Sequence, residues 1–388
     1  MPKVIILSVS AGAGHMRAAA AIGQALSRHC PSCAVEVVDT FRYVRPFLQK
    51  TALPLYLQMV RVTPRVYGYL YRKLENGRAA GRSKVEFNRM LNRLAARQMA
   101  ALIAGADPAA LVCTNPFPLG ILDYLKRRGR LFLPVVAALT DFTVHPFWVF
   151  PSVDLYLLGH EDLVAELVAQ GIEADRAVVT GIPIDPVFAA PCDAAAERLR
   201  LGLVPDRPTV LVMGGGLGMG PLAGVVSALG RVATPMQLLV VAGSNTALQA
   251  RLERLAPLLN HPCRVFGFVG DIHRLVGAAD LMVGKAGGLS CAEALAAGVP
   301  ILVIDPIPGQ EERNAEFLTR RGAARLVEGA AGAAATVEAF LRSSAMQATM
   351  RGAARSLGRP GAALAAARAV GSLAGWEEGG AGGDRSVD

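Results

Sequence analysis

No stretch of the 388-residue chain reaches about 18 uninterrupted apolar residues, so no membrane-spanning helix is expected. Met1 to Leu7 lacks a charged leader region and a small-residue cleavage site, which argues against a secretory signal. Cysteine is sparse: six residues, at 30, 33, 113, 192, 263 and 291, mostly in apolar surroundings. Cys30-Pro-Ser-Cys33 has redox spacing, but no second pair accompanies it to build a zinc site. Reduced, structural thiols in a cytosolic protein are the expectation. No Asp-x-Asp pair is placed to hold a metal, so no metal and no cofactor are expected. Acidic residues are also short, 31 against 40 Lys and Arg, for a net charge of +9. Where that charge sits matters more than its size.

What the chain does have is a repeated pattern of buried strand, glycine turn and helix. Val4 to Ser8 is an apolar strand entering Ser10-Ala11-Gly12-Ala13-Gly14-His15, with a helix from Met16 to Arg28. Strands follow at Val35–Val38, Leu111–Asn115, Leu133–Leu139, Asp154–Leu158 and Ala177–Thr180. The pattern restarts at Thr209–Met213, followed by Gly214 to Gly220, whose glycines read as a flexible loop that brings backbone close to a diphosphate. Gln237–Ala242 ends in Gly243-Ser244-Asn245, and Cys263–Phe268 leads through Val269 and Asp271 to the next helix. A strand entering a glycine loop and then a helix is how doubly wound α/β folds place a ligand at the carboxyl edge of a sheet.

The densest stretch runs from Gly284 to Asn314. Lys285-Ala286-Gly287-Gly288 is a turn after a strand, and Ser290 with Glu293 has the spacing of a capping box. Backbone N–H groups and the positive end of a helix converge there, an arrangement suited to phosphate. Glu293, one turn in, is placed to accept from a ribose diol. Pro308-Gly309-Gln310-Glu311 then leaves the next strand carrying an amide and a carboxylate, groups suited to sugar hydroxyls. An ordinary αβ unit with a solvated loop is the alternative for this stretch taken alone.

This stretch resembles the donor site of UDP-sugar glycosyltransferases with the two-domain GT-B fold. The similarity is greatest to the monogalactosyldiacylglycerol synthase and processive diacylglycerol glucosyltransferase family, within glycosyltransferase family 28. The matching positions are Lys285, Ala286, Gly287, Glu293, Ala294, Gly298, Pro300, Pro308, Gly309, Gln310, Glu311 and Asn314, with Ser290 in place of the usual Thr. The first loop resembles the family's G-x-G-H-x-x-A-A-x-A-I, in which the histidine, here His15 after Gly14, is the expected base for the acceptor hydroxyl. A helix's positive end disfavours a second positive charge, so His15 is expected to be neutral. As a bare histidine at a helix start it also reads as a cap or surface residue. Thr140-Asp141 and His145-Pro146-Phe147-Trp148 resemble the segment lining the family's acceptor cleft, which makes Asp141, His145 and Trp148 acceptor candidates. A histidine–aspartate metal pair is the rival there, without a third ligand at suitable spacing. The resemblance places UDP-sugar against Gly214, Gly215, Gly216, Gly243, Asn245, Phe268 and Val269. It adds Lys285, Gly287, Gly288, Ser290, Glu293, Gln310, Glu311 and Asn314 to the same ligand.

Between Arg42 and Arg97, thirteen Lys and Arg face only Glu75 and Glu86, interleaved with leucines and tyrosines. That mixture describes a segment lying on an anionic bilayer. Nucleic acid uses the same charges, but no nucleic-acid motif is visible, and none is expected as a partner. A helical pair packed on its own domain is the third reading, and Leu91, Leu94 and Met99 have core spacing. The expected layout is an acceptor and membrane-binding domain over residues 1–184, with the insert at about 42–97. Gly181-Ile182-Pro183-Ile184 is the hinge, a UDP-sugar domain spans 185–340, helices pack back over 341–374, and the 375–388 tail is disordered. The expected activity is an inverting transfer of a hexose, glucose or galactose, from UDP to the hydroxyl of diacylglycerol, giving a β-glycolipid at the inner face of the cell membrane. A UDP-GlcNAc transferase acting on a lipid II-type acceptor, a UDP-sugar epimerase and a non-catalytic UDP-sugar sensor are the alternatives. Sequence sets neither the oligomeric state nor the number of sugars added.

Overall fold

The computed structural model describes residues 2–10, 13–43 and 95–376. The basic-aromatic stretch at 44–94, with Leu91 and Leu94, and the tail beyond 376 lie outside these residues.

Two six-stranded sheets organise the described chain, and every strand pairing in them is parallel. The first has the order β2-β1-β3-β4-β5-β6. Its strands are β1 (Lys3–Ser8), β2 (Ala34–Asp39), β3 (Ala110–Cys113), β4 (Val135–Ala138), β5 (Leu155–Leu158) and β6 (Ala177–Val179). The second has the order β12-β11-β10-β7-β8-β9. It is built from β7 (Thr209–Met213), β8 (Gln237–Val241), β9 (Cys263–Phe266), β10 (Leu281–Gly284), β11 (Ile301–Ile304) and β12 (Ala324–Val327). The central strands β3, β4, β5, β7, β8, β10 and β11 are buried along their whole length. Helices cover both faces of such a parallel sheet, which is why these strands read as continuous apolar runs rather than alternating ones. The edge strands β2, β6, β9 and β12 keep exposed residues.

In each sheet the strand order reverses once, between β1 and β3 in the first and between β7 and β10 in the second. The loops leaving adjacent strands diverge at such a point and open a crevice at the carboxyl edge. The first crevice lies at the start of α1 (Ala13–His29) and at Thr114, just before α2 (Pro116–Arg127). Thr114 closes it, its Oγ1 donating to the His15 carbonyl at 3.0 Å and lying in hydrogen-bond contact with Ser8 Oγ at 2.9 Å. The second crevice holds the Gly214–Gly220 loop after β7 and the Lys285–Gly288 turn after β10, which enters α8 (Gly288–Ala296). The intervening helices are α3 (Asp162–Ala169), α4 (Ala194–Arg200), α5 (Leu222–Leu229), α6 (Thr246–Leu255) and α7 (Ile272–Gly277). They are followed, after β11, by α9 (Gln310–Arg320) and then α10 (Gly329–Arg342), α11 (Ser344–Leu357) and α12 (Ala362–Leu373).

The halves are joined by more than the chain. One apolar core combines Ala18, Phe142, Ile182, Ile184 and Phe188 with Leu289, Ala292, Phe317 and Leu357 from the second half. Phe142 stacks on Phe317 with ring centroids 5.1 Å apart and planes 8° apart. On the far side of the first sheet, Ala363, Ala366, Ala367 and Val370 of α12 share a core with Ile22 and Leu26 of α1. The hinge residues Ile182 and Ile184 are therefore buried between the halves. Gly181 has φ +87°, and a Cβ there would lie 2.5 Å from Arg359 Cβ, so this corner requires glycine.

Two local expectations are corrected. Cys30 and Cys33 form a disulfide just beyond α1, where reduced thiols are read from the sequence. The turn that follows the helix brings their Cα atoms to 5.4 Å, within bonding range. The Gly214–Gly220 loop is packed rather than loose: a Cβ on Gly214 would lie 2.1 Å from the Met219 carbonyl oxygen, and one on Gly218 1.9 Å from that of Ala242.

Candidate active site

The two crevices face each other, and the loops of both carry the candidate residues. His15 sits in the first turn of α1, half-buried, with Nδ1 3.1 Å from Thr140 Oγ1. Its pKa is held below the ordinary 6.5, first by burial. The charge of Asp141 and a backbone hydrogen bond with Thr114 oppose that fall. The imidazole is thus kept neutral chiefly by loss of solvent, with an acidic neighbour to stabilise the cation once it forms.

Asp141 is the meeting point of the two halves. Its carboxyl pKa is held above the ordinary value, first by burial and also by the charge of Glu311, against the hydrogen bond from Asn314 and the charges of His15 and Lys285. Asn314 is fully buried on α9. Its Nδ2 donates to Asp141 Oδ1 at 2.9 Å and to the Ala286 carbonyl at 3.0 Å, and its Oδ1 accepts from Phe142 N at 2.8 Å. Gly288 faces the same segment: a Cβ there would lie 2.0 Å from the Thr140 carbonyl oxygen and 3.0 Å from Asp141 Oδ1. No side chain fits between that turn and Thr140, so the second-half glycine turn abuts the first-half segment that holds His15.

Around the second crevice the loops interlock. Lys285 pairs with Glu311 Oε1, and the other oxygen of that carboxylate accepts from Ile307 N at 3.0 Å. A Cβ on Gly215 would lie 3.4 Å from Lys285 Cε, which puts the lysine beside the first glycine loop. Gly243 packs against that loop too, since a Cβ there would lie 2.6 Å from the Gly216 carbonyl. Asn245 caps α6 through Leu248 N at 3.0 Å and donates weakly to Gly218 O at 3.4 Å. Phe268 is 63 % exposed, and Val269 packs partly on the shared core. Gly309, at φ +104°, donates to Glu312 Oε2 at 2.9 Å and starts α9, so that Gln310 opens the helix.

Several expected placements change. The helix cap at this turn is Gly287, and of the two places open to Ser290, cap or first turn, it takes the first turn of α8. Glu293 forms no capping box: its Oε1 meets Arg17 Nη2 of α1 at 2.9 Å, across the cleft. It is 1 % exposed, its Oε2 has no hydrogen-bond partner, and burial lifts its pKa from 4.5 to about 7 against the pull of Arg17. Trp148 is 1 % exposed inside the first-half core and does not line the cleft. The turn that returns Trp148 N to the His145 carbonyl at 2.9 Å swings the indole inward, where a large apolar ring is best stabilised. His145 is also buried, with Nδ1 accepting from Phe147 N at 3.1 Å. Gly14 has room for a Cβ, which would make ordinary contact with Leu289 Cβ at 3.8 Å.

Arg17 is the residue that sequence reasoning misses. It lies two positions beyond the family's histidine, and only the contact between α1 and α8 gives it a partner. Further bridges hold the halves: Arg321 to Asp162, Arg359 to Glu161 at 2.7 Å, and Arg313 Nη1 to Thr143 Oγ1 at 3.4 Å. Among the described residues, no cluster of three or more His, Cys, Asp or Glu is placed to hold a metal ion.

Two facing doubly wound domains with glycine turns at both switch points make this a GT-B fold. The crystal structure of Acinetobacter baumannii MurG superposes with a TM-score of 0.65 at 16% identity, covering 96% of this chain and 100% of that one. Anabaena Alr3699/HepE, crystallised with UDP and glucose, superposes with a TM-score of 0.55 at 14% identity, covering 97% and 99%. The monogalactosyldiacylglycerol (MGDG) synthase profile matches residues 15–184, and the glycosyltransferase family 28 C-terminal domain matches residues 209–358. A Bacillus mycoides protein named processive diacylglycerol beta-glucosyltransferase is 28% identical over 362 residues, 92% of this chain and 90% of that protein. The chain belongs to the MGDG synthase and diacylglycerol glucosyltransferase family of glycosyltransferases.

Proposed function

We propose that the protein transfers a hexose from a UDP-sugar to the hydroxyl of diacylglycerol, with inversion, giving a β-glycosyl glycolipid. The single observation that carries this reading is the juxtaposition across the cleft. His15 and Asp141 lie on one wall, and the Lys285–Gly288 turn abuts them from the other. The name of the B. mycoides relative supports diacylglycerol as acceptor, and the UDP and glucose held in the HepE crystal structure support a UDP-sugar donor.

In this reading the diphosphate lies over the Gly214–Gly216 loop and the start of α8, where backbone N–H groups and the helix dipole stabilise departing negative charge. Lys285 stands beside that loop. With Nδ1–H directed to Thr140 Oγ1, His15 offers the Nε2 lone pair. The acceptor oxygen attacks the anomeric carbon as its proton passes to His15. The bond from that carbon to the diphosphate breaks, its electron pair leaving with UDP. Asp141 stabilises the imidazolium that results. Attack opposite an α-linked leaving group yields the β product. Gln310 and Glu311 face the hexose, and Glu293 takes the ribose diol once Arg17 releases it.

The membrane part of the reading rests on the basic-aromatic sequence between Arg42 and Arg97, which would seat the enzyme on anionic lipid at the inner face of the cell membrane. No helix among the described residues is long and apolar enough to cross a membrane. The test is mass spectrometry of lipid products formed from a panel of UDP-sugars with diacylglycerol and polyprenyl-linked acceptors. A hexosyl-diacylglycerol is the expected product. Sugar found only on the polyprenyl acceptor, or UDP released without any glycolipid, overturns the assignment.

A further inference from the structure

Asn314 sits in the part of the sequence that the family resemblance assigns to the sugar, yet its side chain is fully buried and engaged by protein atoms on every side. One amide hydrogen goes to the Ala286 carbonyl in the donor turn and the other to Asp141 Oδ1 in the opposite domain. Its oxygen takes the next backbone N–H, that of Phe142. With both amide hydrogens used, the oxygen engaged and the side chain fully buried, the amide presents nothing to a hexose hydroxyl. It does have the geometry of a clip: Asn314 joins the turn that holds the diphosphate to the segment that carries Thr140 and Asp141, the two residues set against His15.

We propose that Asn314 is a positioning residue for catalysis: it locks the donor turn in register with Asp141 and, through Asp141, with His15, rather than contacting the sugar. The inference rests on the reading of His15 as base. A hydrogen bond from an amide to a carboxylate favours the ionised acid. Asn314 therefore favours ionised Asp141 against the burial that opposes it, and the register is enforced by the same amide through Phe142 N and Ala286 O. The other charged groups facing Asp141 are Lys285 from the donor turn, Glu311 from α9 and His15 itself. Lys285 is committed to Glu311, so Asn314 is the neutral donor that touches the acid directly.

The consequence for pH has a definite sign. The competent pair is neutral His15 with ionised Asp141, and the acid limb of kcat/KM reports proton uptake by that pair as a unit. Removing the amide destabilises ionised Asp141 and leaves protonated Asp141 unaffected, so the pair takes up its proton at higher pH. Asn314→Leu should move the acid limb up by about one pH unit, the worth of a hydrogen bond to a charged group. Asn314→Asp keeps the volume and the acceptor for Phe142 N but adds a second carboxylate, and should move the limb further in the same direction. Both should lower kcat by about 10²-fold through lost register, with UDP-sugar affinity within about threefold of wild type.

The experiment is a pH–rate profile of each variant with UDP-sugar and lipid acceptor, alongside calorimetric titration with UDP and UDP-sugar and a thermal melt to verify folding. A limb shifted upward with donor affinity retained supports the clip. An unshifted limb, or a selective loss of UDP-sugar affinity relative to UDP, overturns it and makes Asn314 a structural residue or a sugar contact. Failure of the His15 reading looks different, since His15→Ala would then turn over normally whatever the Asn314 variants do.

Discussion

Replacing Glu293 with Gln tests the least comfortable charge in the cleft. The carboxylate is almost completely buried, and among the described residues Arg17 is its one ion-pair partner and Oε2 has no hydrogen-bond partner. Burial raises its pKa from 4.5 to about 7, so the folded protein holds this proton over a range where the unfolded chain has already lost it. The sign follows by linkage. Below about pH 4.5 the group is protonated in both states and its contribution to stability is greatest. As pH rises towards 7 the unfolded chain gains the advantage of ionising, and stability is lost until the folded group ionises too. Going from 4.5 to about 7 at 1.36 kcal/mol per pH unit, the loss is about 3 kcal/mol. Glu293→Gln removes the titration, so the variant should gain about that much on wild type between pH 4.5 and 7.5. Urea melts of both proteins across this range measure it. Parallel stability curves would refute the reasoning, since they would mean that Glu293 titrates like an exposed acid.

Gly288→Ala should force the donor turn off Thr140, because its Cβ would sit 2.0 Å from a backbone oxygen. Overpacking of this kind costs about 1–3 kcal/mol, and turnover should fall at least tenfold while calorimetry still detects UDP binding; normal turnover would deny the close approach. Reversing Arg61, Arg65, Arg72 and Lys73 to Glu should abolish sedimentation with phosphatidylglycerol vesicles, since each cation near the surface is worth about 1 kcal/mol. UDP affinity should survive in that variant, and undiminished vesicle binding would return the segment to a helical insertion packed on its own domain.

The fold was legible because parallel strands buried on both faces leave continuous apolar runs, as at Val4–Leu7 and Leu281–Val283, each followed by a glycine turn. The Lys285–Gly288 turn was legible for the same reason that it works: glycine is required where Gly288 meets Thr140. What the sequence withheld are contacts made only when the halves close. Arg17 and Glu293 lie far apart in the chain, and neither motif that contains them mentions the other. Asn314 matches the family pattern equally well as a sugar ligand or a clip, and only its three hydrogen bonds distinguish these roles. Trp148 follows the same logic, since an aromatic after His145-Pro146 fits a cleft or a core, and packing against β3, β4 and β5 decides for the core. The C-x-x-C spacing of Cys30 and Cys33 is compatible with free thiols or a bridge, and the local turn selects the bridge.

The central claim, that His15 is the base in a sugar transfer to diacylglycerol, is tested most directly by comparing wild type with His15→Ala on UDP-glucose, UDP-galactose and vesicle-borne diacylglycerol. Glycolipid is quantified by mass spectrometry and UDP binding by calorimetry. The account predicts hexosyl-diacylglycerol from wild type, and kcat lower by about 10²–10⁴ in the variant, with UDP affinity within a few-fold. Near-normal glycolipid formation by His15→Ala would contradict it.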